Sequence, residues 1–240
     1  VASKPAMSLA SGAQFLDLAG DGQTDLVQMA SPVPGFYERT ADARWETFQP
    51  FLSWPNIDTR NPNLKFVDLT GDGHTDILVS EDDVFSWYLS LAEDGFGPAQ
   101  HVYKEIDEEQ GPRLVFDDGT QSIHLADLSG DGLNDLARIR NGEVCYWPNL
   151  GYGHFGAKVT MDNSPRFDAP DLFDQHRIRL VDSDGSGTTD ILYLSHNGVQ
   201  IYFNQAGNSW SAPVNLPQFP PFNNLANVQA LDLLGSGTAC

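Results

Sequence analysis

The chain has 240 residues, 40% of them hydrophobic and 11% aromatic, enough to bury a sizeable core and too apolar for compositional disorder. Its 33 acidic against 13 basic side chains give a net charge of −20, which excludes a general role in tracking phosphate backbones or anionic membranes. Two cysteines, Cys145 and Cys240, make no disulfide framework, and no apolar run of about 18 residues is present to cross a membrane.

The chain opens Val1-Ala2-Ser3-Lys4, with neither Met nor a signal-peptide pattern, and stops inside a repeat; both facts are expected of a piece of a longer protein. Four complete acidic turns punctuate it. They read Asp17-Leu-Ala-Gly-Asp21-Gly-Gln-Thr-Asp25, Asp68-Leu-Thr-Gly-Asp72-Gly-His-Thr-Asp76, Asp127-Leu-Ser-Gly-Asp131-Gly-Leu-Asn-Asp135 and Asp182-Ser-Asp-Gly-Ser186-Gly-Thr-Thr-Asp190. A fifth begins at Asp232. Their first residues lie 51, 59, 55 and 50 positions apart, a period typical of stacked repeats or propellers.

A second regularity runs with the first. Asp25, Asp76, Asp135 and Asp190 are each followed 20 residues later by a large aromatic: Trp45, Phe96, Phe155 and Trp210. Unconstrained loops drift in length, so this spacing predicts one packed unit repeated four times. The repeats fall at about 10–60, 61–119, 120–174 and 175–224, with a truncated fifth over 225–240, in one region spanning 1–240.

Within each repeat, short apolar stretches flank the turn, such as Phe66-Val67 before and Ile77-Leu78-Val79 after, and they read as buried strands. Asn141-Gly142 and Asn197-Gly198 then predict tight hairpins in which both central residues need positive φ. A third strand follows at Val84–Leu89, Val144–Trp147 and Val199–Phe203, and a fourth near Val102, Val159 or Val214. In the first repeat Pro32 and Pro34 displace the hairpin and weaken the third strand. Four short antiparallel strands per unit, with no helical period between them, predict an all-β propeller of four-stranded blades, a ring left incomplete by this chain.

The turns resemble calcium loops, which place oxygen ligands at positions 1, 3, 5 and 9 and need six to eight oxygens in all. The first three turns carry Ala19, Thr70 and Ser129 at position 3, and the fourth has Asp184 there but Ser186 at position 5. Each is one carboxylate short, so the turns are expected to hold together by backbone N–H bonds to aspartate, without metal or other cofactor. The best cation candidate is Asp182, Asp184 and Asp190. Acidic runs outside the turns, Glu81-Asp82-Asp83, Asp107-Glu108-Glu109 and Asp117-Asp118, read as solvated faces.

Catalytic signatures are few. Gly151-Tyr-Gly153-His-Phe-Gly156 matches GxGxxG but leads into Ala-Lys-Val-Thr-Met, which reads as strand and not as the helix a dinucleotide needs. No GxSxG, HExxH or Walker lysine loop occurs, and the six histidines never stand at zinc-ligand spacing. No catalytic, cofactor or metal residue is therefore assigned, and the chain is expected not to be an enzyme.

The strings Tyr146-Trp-Pro-Asn-Leu-Gly-Tyr-Gly-His-Phe-Gly156 and Asp171-Leu-Phe-Asp-Gln-His-Arg-Ile-Arg-Leu-Val-Asp-Ser-Asp-Gly-Ser-Gly-Thr-Thr-Asp190 are similar to the B component of bacterial insecticidal Tc toxin complexes. The turns alone resemble the wider FG-GAP/VCBS class, which integrin α chains share. The resemblance covers essentially the whole chain. It implies the propeller region of a secreted B component, flanked by SpvB-like and shell-forming parts, in a ring of five or six blades. It further implies docking on the pore-forming A component and gating of toxic cargo from the C component, with no nucleic acid and no membrane insertion by this region. The alternative is a calcium-stabilised, integrin-like propeller that binds a cell-surface protein or glycan.

Overall fold

The computed structural model describes residues 13–18, 23–29, 33–40, 42, 44–196 and 198–216, with Pro5, Asn224, Leu225, Val228 and Ala230. The truncated fifth turn, Cys240 and Asn197 lie outside these residues. The chain divides into two compact units, Val1–Tyr103 with Gly151–Gly153, and Lys104–Leu150 with His154–Cys240.

The first unit holds two four-stranded antiparallel sheets. One runs β1 (Ala13–Leu16), β2 (Asp25–Gln28), β3 (Gly35–Tyr37) and β4 (Gln49–Pro50); the other runs β5 (Leu64–Val67), β6 (Asp76–Ser80), β7 (Val84–Tyr88) and β8 (Gln100–Tyr103). Strand order follows chain order in both, as short hairpin connections require. β6 is buried along its whole length, which explains its unbroken Ile77-Leu78-Val79 run: a central strand covered on both faces has no polar side. Around Phe51, the rings of Phe36 and Trp54 stack at 5.5 and 5.4 Å, and Phe96 meets Trp54 edge-on at 5.5 Å. Such contacts add about 0.5–1.5 kcal/mol each beyond the area they bury. Tyr152 packs here too, donating its N–H to Leu69 O at 3.1 Å with its ring edge-on to Trp87.

The second unit repeats the design. β9 (Ile123–Ala126), β10 (Asp135–Arg140) and β11 (Glu143–Trp147) precede a small ribbon, β12 (Asn149–Gly151) and β13 (His154–Phe155), and β14 (Val159–Thr160) completes the sheet. Next come β15 (Ile178–Val181), β16 (Asp190–Ser195) and β17 (Gly198–Tyr202), then the ribbon β18 (Asn204–Gln205) with β19 (Ser209–Trp210), and β20 (Val214–Leu216). One core joins the two sheets, with Ile139, Val144 and Tyr146 from one meeting Ile191, Tyr193 and Tyr202 from the other. Each of the four sheets is a propeller blade, and the described residues contain no α-helix.

Three expectations need correction. The third strand of the first repeat is short but regular, with Leu26 opposite Tyr37 and Val27 opposite Phe36; Pro32 lies outside the described residues. At Asn141-Gly142 only the glycine has positive φ, at 87°. Asn141 stays on the ordinary side because its amide is spent elsewhere, donating to Asp168 O and accepting from Phe167 N, both at 2.9 Å. The run at Asp107–Glu109 is not merely a solvated face. Glu108 bonds Arg138 at 2.7 Å, Glu109 bonds Lys158 at 2.7 Å, and Glu108 O accepts from Trp147 Nε1 at 2.9 Å. This long return loop is thus a strap across β10 and β11, and Arg138 holds the Glu108 carboxyl below its usual range.

Candidate functional site

The acidic turns are built from their glycines outward. In the second turn Gly71 and Gly73 carry φ of 77° and 84°, values that side chains resist, and this brings both N–H groups onto one carboxylate. Gly71 donates to Asp68 Oδ1 at 2.7 Å and Gly73 to Asp68 Oδ2 at 2.9 Å. The third and fourth turns repeat the pattern at the same two distances, onto Asp127 from Gly130 and Gly132 and onto Asp182 from Gly185 and Gly187. Position 1 is therefore the internal clamp of the turn. A smaller Asx link closes each turn, from His74 N to Asp72, Leu133 N to Asp131 and Ser186 N to Asp184.

Position 9 does something different. Asp25, Asp76, Asp135 and Asp190 are all buried, and each reaches across its blade to the end of the third strand. Their Oδ1 atoms accept the N–H of Arg39, Ser90, Asn149 and Asn204, at 2.9, 2.7, 3.0 and 2.8 Å. Every partner lies 14 residues on. The Oδ2 atoms of Asp76, Asp135 and Asp190 accept from the first residues of their own turns, Leu69, Leu128 with Ser129, and Ser183. One buried carboxylate thus bolts the start of the turn to the far strand.

This bolt explains the 20-residue spacing. Three of the bolted residues pair directly with the expected aromatic, Arg39 with Trp45, Ser90 with Phe96 and Asn204 with Trp210, while Phe155 stands in the ribbon opposite β12, which Asn149 opens. The aromatics share a topological place but not a depth. Phe96 and Trp210 are buried, whereas Trp45 and Phe155 are only half-buried. The bolted residues were missed in the sequence because their side chains have no common type; their main chain does the work.

Burial has an electrostatic consequence. Desolvation pushes the Asp76 carboxyl up to about 6 against two N–H bonds that pull it down, and the charges of Asp72 and Asp68 push the same way as burial. Burial likewise raises Asp135 and Asp190.

Turns also touch each other within each unit. His74 Nδ1 donates to Leu18 O at 2.9 Å, and Thr189 N donates to Asp127 O at 2.7 Å. Asn204 Nδ2 donates to Leu128 O at 2.9 Å, so the fourth blade's bolt reaches the third blade's turn. As for cations, Asp182, Asp184 and Asp190 have carboxylate oxygens within 4.8 Å of one another, the grouping the sequence singled out. Asp182 and Asp190 already accept N–H bonds on both oxygens, so a cation would share lone pairs with the bonds that hold the turn.

One constellation outside the turns has catalytic residue types. Ser86 Oγ donates to Glu81 Oε2 at 2.8 Å and lies 2.9 Å from His101 Nδ1. The serine's one proton goes to glutamate, so the imidazole must donate to Oγ, the reverse of what activates a nucleophile. Gly151, Gly153 and Gly156 lie in a β-ribbon and its exit, with no helix to meet a phosphate. Among the described residues, no helix is long and apolar enough to cross a membrane.

Comparison with known proteins follows the same lines. The FG-GAP-like repeat family matches residues 68–138, which hold the second and third acidic turns. No curated protein matches the chain. A chain of the Photorhabdus luminescens Tc holotoxin pore structure, with the TccC3-D651A mutation, is similar at 26% identity and a TM-score of 0.79, over 99% of this chain and 11% of that one. An Agrocybe aegerita lectin that recognises non-reducing terminal N-acetylglucosamine aligns at 20% identity and a TM-score of 0.57, over 85% of this chain and 51% of the lectin, a likeness of fold alone. A TcdB2-TccC3-TEV structure aligns at 23% identity and a TM-score of 0.50, over 97% of this chain and 14% of that one, again in fold. The chain therefore spans only about a ninth of the length of the Tc chain it matches at 0.79. It is a β-propeller region that carries an FG-GAP-like repeat over residues 68–138 and is similar over 99% of its residues to part of a chain in a Tc toxin complex.

Proposed function

We propose that this chain is a non-enzymatic docking and gating module of a secreted Tc toxin B component, engaging the pore-forming A component so that cargo of the C component can be translocated. The observation that carries this reading is the likeness to the Tc holotoxin chain over 99% of the residues at a TM-score of 0.79. The blades support it physically: each turn is bolted to its own sheet by a buried aspartate, giving a rigid base for the loops that meet a partner. Neither metal nor cofactor is required in this scheme, because backbone N–H groups already hold the turns. The test is assembly of the complete B component with its A partner, with and without residues 1–240. Loss of the complex on deletion is expected; unchanged affinity would sink the proposal.

A second reading draws on the grouping of Asp182, Asp184 and Asp190. In it the fourth turn binds calcium and stabilises an integrin-like propeller that meets a cell-surface protein or glycan. A melting temperature that falls strongly in EDTA and recovers with calcium would favour this reading over the first.

A further inference from the structure

Arg179 lies on β15, one edge of the fourth blade, whereas β20 forms the opposite edge. Its guanidinium nevertheless holds a part of the chain that has already left β20. Nη1 donates to His176 O and Ile178 O, both at 2.8 Å, which fixes the fork against the start of its own strand. The other two nitrogens reach forward along the chain: Nε donates to Val228 O at 2.8 Å and Nη2 to Leu225 O at 2.5 Å. Val228 N donates to Leu225 O at 3.2 Å, so the two captured carbonyls belong to one turn. All three nitrogens are thus spent on main-chain oxygens.

Register shows what is particular to this arginine. It stands opposite Leu192, two residues past the buried Asp190, and the same place in the other blades holds Gln14, Lys65 and His124. All four are polar, as an edge strand allows, but only a guanidinium offers donors on three nitrogens in one plane. It alone can serve the start of its own strand and a separate turn at once. We propose that Arg179 is a latch that fastens the return segment after β20, at Leu225 and Val228, onto the first strand of the same blade. One side chain then closes the chain across the sheet from edge to edge. The segment so held leads directly to Asp232, the first residue of the fifth acidic turn, so the latch anchors the entry to the next repeat. Because it grips carbonyls, which every residue supplies, the side chains of the return segment are free to vary.

Hydrogen exchange followed by mass spectrometry on the 240-residue chain tests this, with the peptide over 224–230 as the latch signal and the one over 190–195 in β16 as the gauge of the blade itself. Arg179→Gln removes the guanidinium and both crossing bonds, whereas Arg179→Lys keeps the charge on a single nitrogen. Arg177→Gln, which removes a donor to Leu194 O inside the blade, is the control. Exchange over 224–230 is expected to be at least about tenfold faster in Arg179→Gln and faster also in Arg179→Lys, with β16 unchanged. Arg177→Gln should leave 224–230 as it is. A native segment that exchanges as fast as free chain overturns the proposal, as does a rate over 224–230 indifferent to Arg179→Gln. So does a rise matched in β16 or reproduced by Arg177→Gln, since Arg179 would then support the blade and latch nothing.

Discussion

Asp76→Asn tests whether burial or hydrogen bonding governs the bolts. Asp76 is fully buried and accepts from Leu69 N at 3.0 Å and Ser90 N at 2.7 Å, yet desolvation raises its pKa from 3.8 to about 6. The folded state therefore keeps a proton that the unfolded chain releases between about pH 4 and 6. Stability from this group is complete below about pH 4 and lost as the pH climbs through about 6. The whole effect is about 3 kcal/mol. Measurement should start near pH 5, because the sequence pI is about 4.3 and solubility falls close to it. Between pH 5 and 7.5 the linkage relation leaves about 1.4 kcal/mol. Asparagine has no such titration, and it also turns one acceptor into a donor facing an N–H. The variant is thus less stable throughout, but its deficit relative to the native chain shrinks by about 1.4 kcal/mol from pH 5 to 7.5. Urea unfolding followed by tryptophan fluorescence across that range gives the number. A deficit that stays constant, or grows with pH, would show that the N–H bonds dominate and that the folded carboxyl is not raised.

Other parts of the design are as accessible. Asn204→Ala removes donors to Leu128 O and Thr189 O and the acceptor for Gly207 N, and urea unfolding should register a loss of about 2–4 kcal/mol. Gly73→Ala meets no atom within 4 Å and costs only the backbone term of about 1 kcal/mol, whereas Gly130→Ala sets a Cβ 2.8 Å from Thr188 Cγ2 and should lose more in thermal melts. Glu108→Gln breaks the 2.7 Å pair with Arg138 that holds the strap. Because the Glu108 side chain is 38% exposed and solvent screens the pair, the loss is at most about 1 kcal/mol, and it shrinks in about 1 M salt.

Much of this fold was legible because its signals were periodic. The recurring Asp-x-x-Gly turns and the apolar runs beside them placed the first and second strands of each blade, and Val84–Leu89 and Val144–Trp147 overlay β7 and β11. What stayed hidden were features set by contact between distant main-chain groups. Nothing in the side chains of Arg39, Ser90, Asn149 and Asn204 announces a shared role, since each contributes its N–H and nothing else in common. The strap was invisible for a related reason: a run of three acids reads as solvated until Arg138 and Lys158 are found opposite it. Asn141-Gly142 misled on turn type because the local preference of Asn yielded to two tertiary hydrogen bonds of its amide.

The bolt also accounts for where repeat lengths vary. From the first Asp of a turn to its aromatic is 28 residues in all four repeats, but from the aromatic to the next turn is 23, 31, 27 and 22. One buried carboxylate fixes the first interval, because an added residue between positions 9 and 23 of the repeat would pull an N–H away from a desolvated acceptor. The second interval closes no such bond, and lengthening a loop costs only about 0.6 kcal/mol per doubling. Differences between blades therefore collect in the fourth strand and its return. The longest return is the one that carries the strap, where Glu108 and Glu109 meet Arg138 and Lys158. Strands of a blade alternate in direction, so these returns emerge at the opposite end from the acidic turns. Within each unit, the end that is chemically uniform is the one that holds the fold, and the end free to differ from blade to blade is the one on which recognition of a partner can be built.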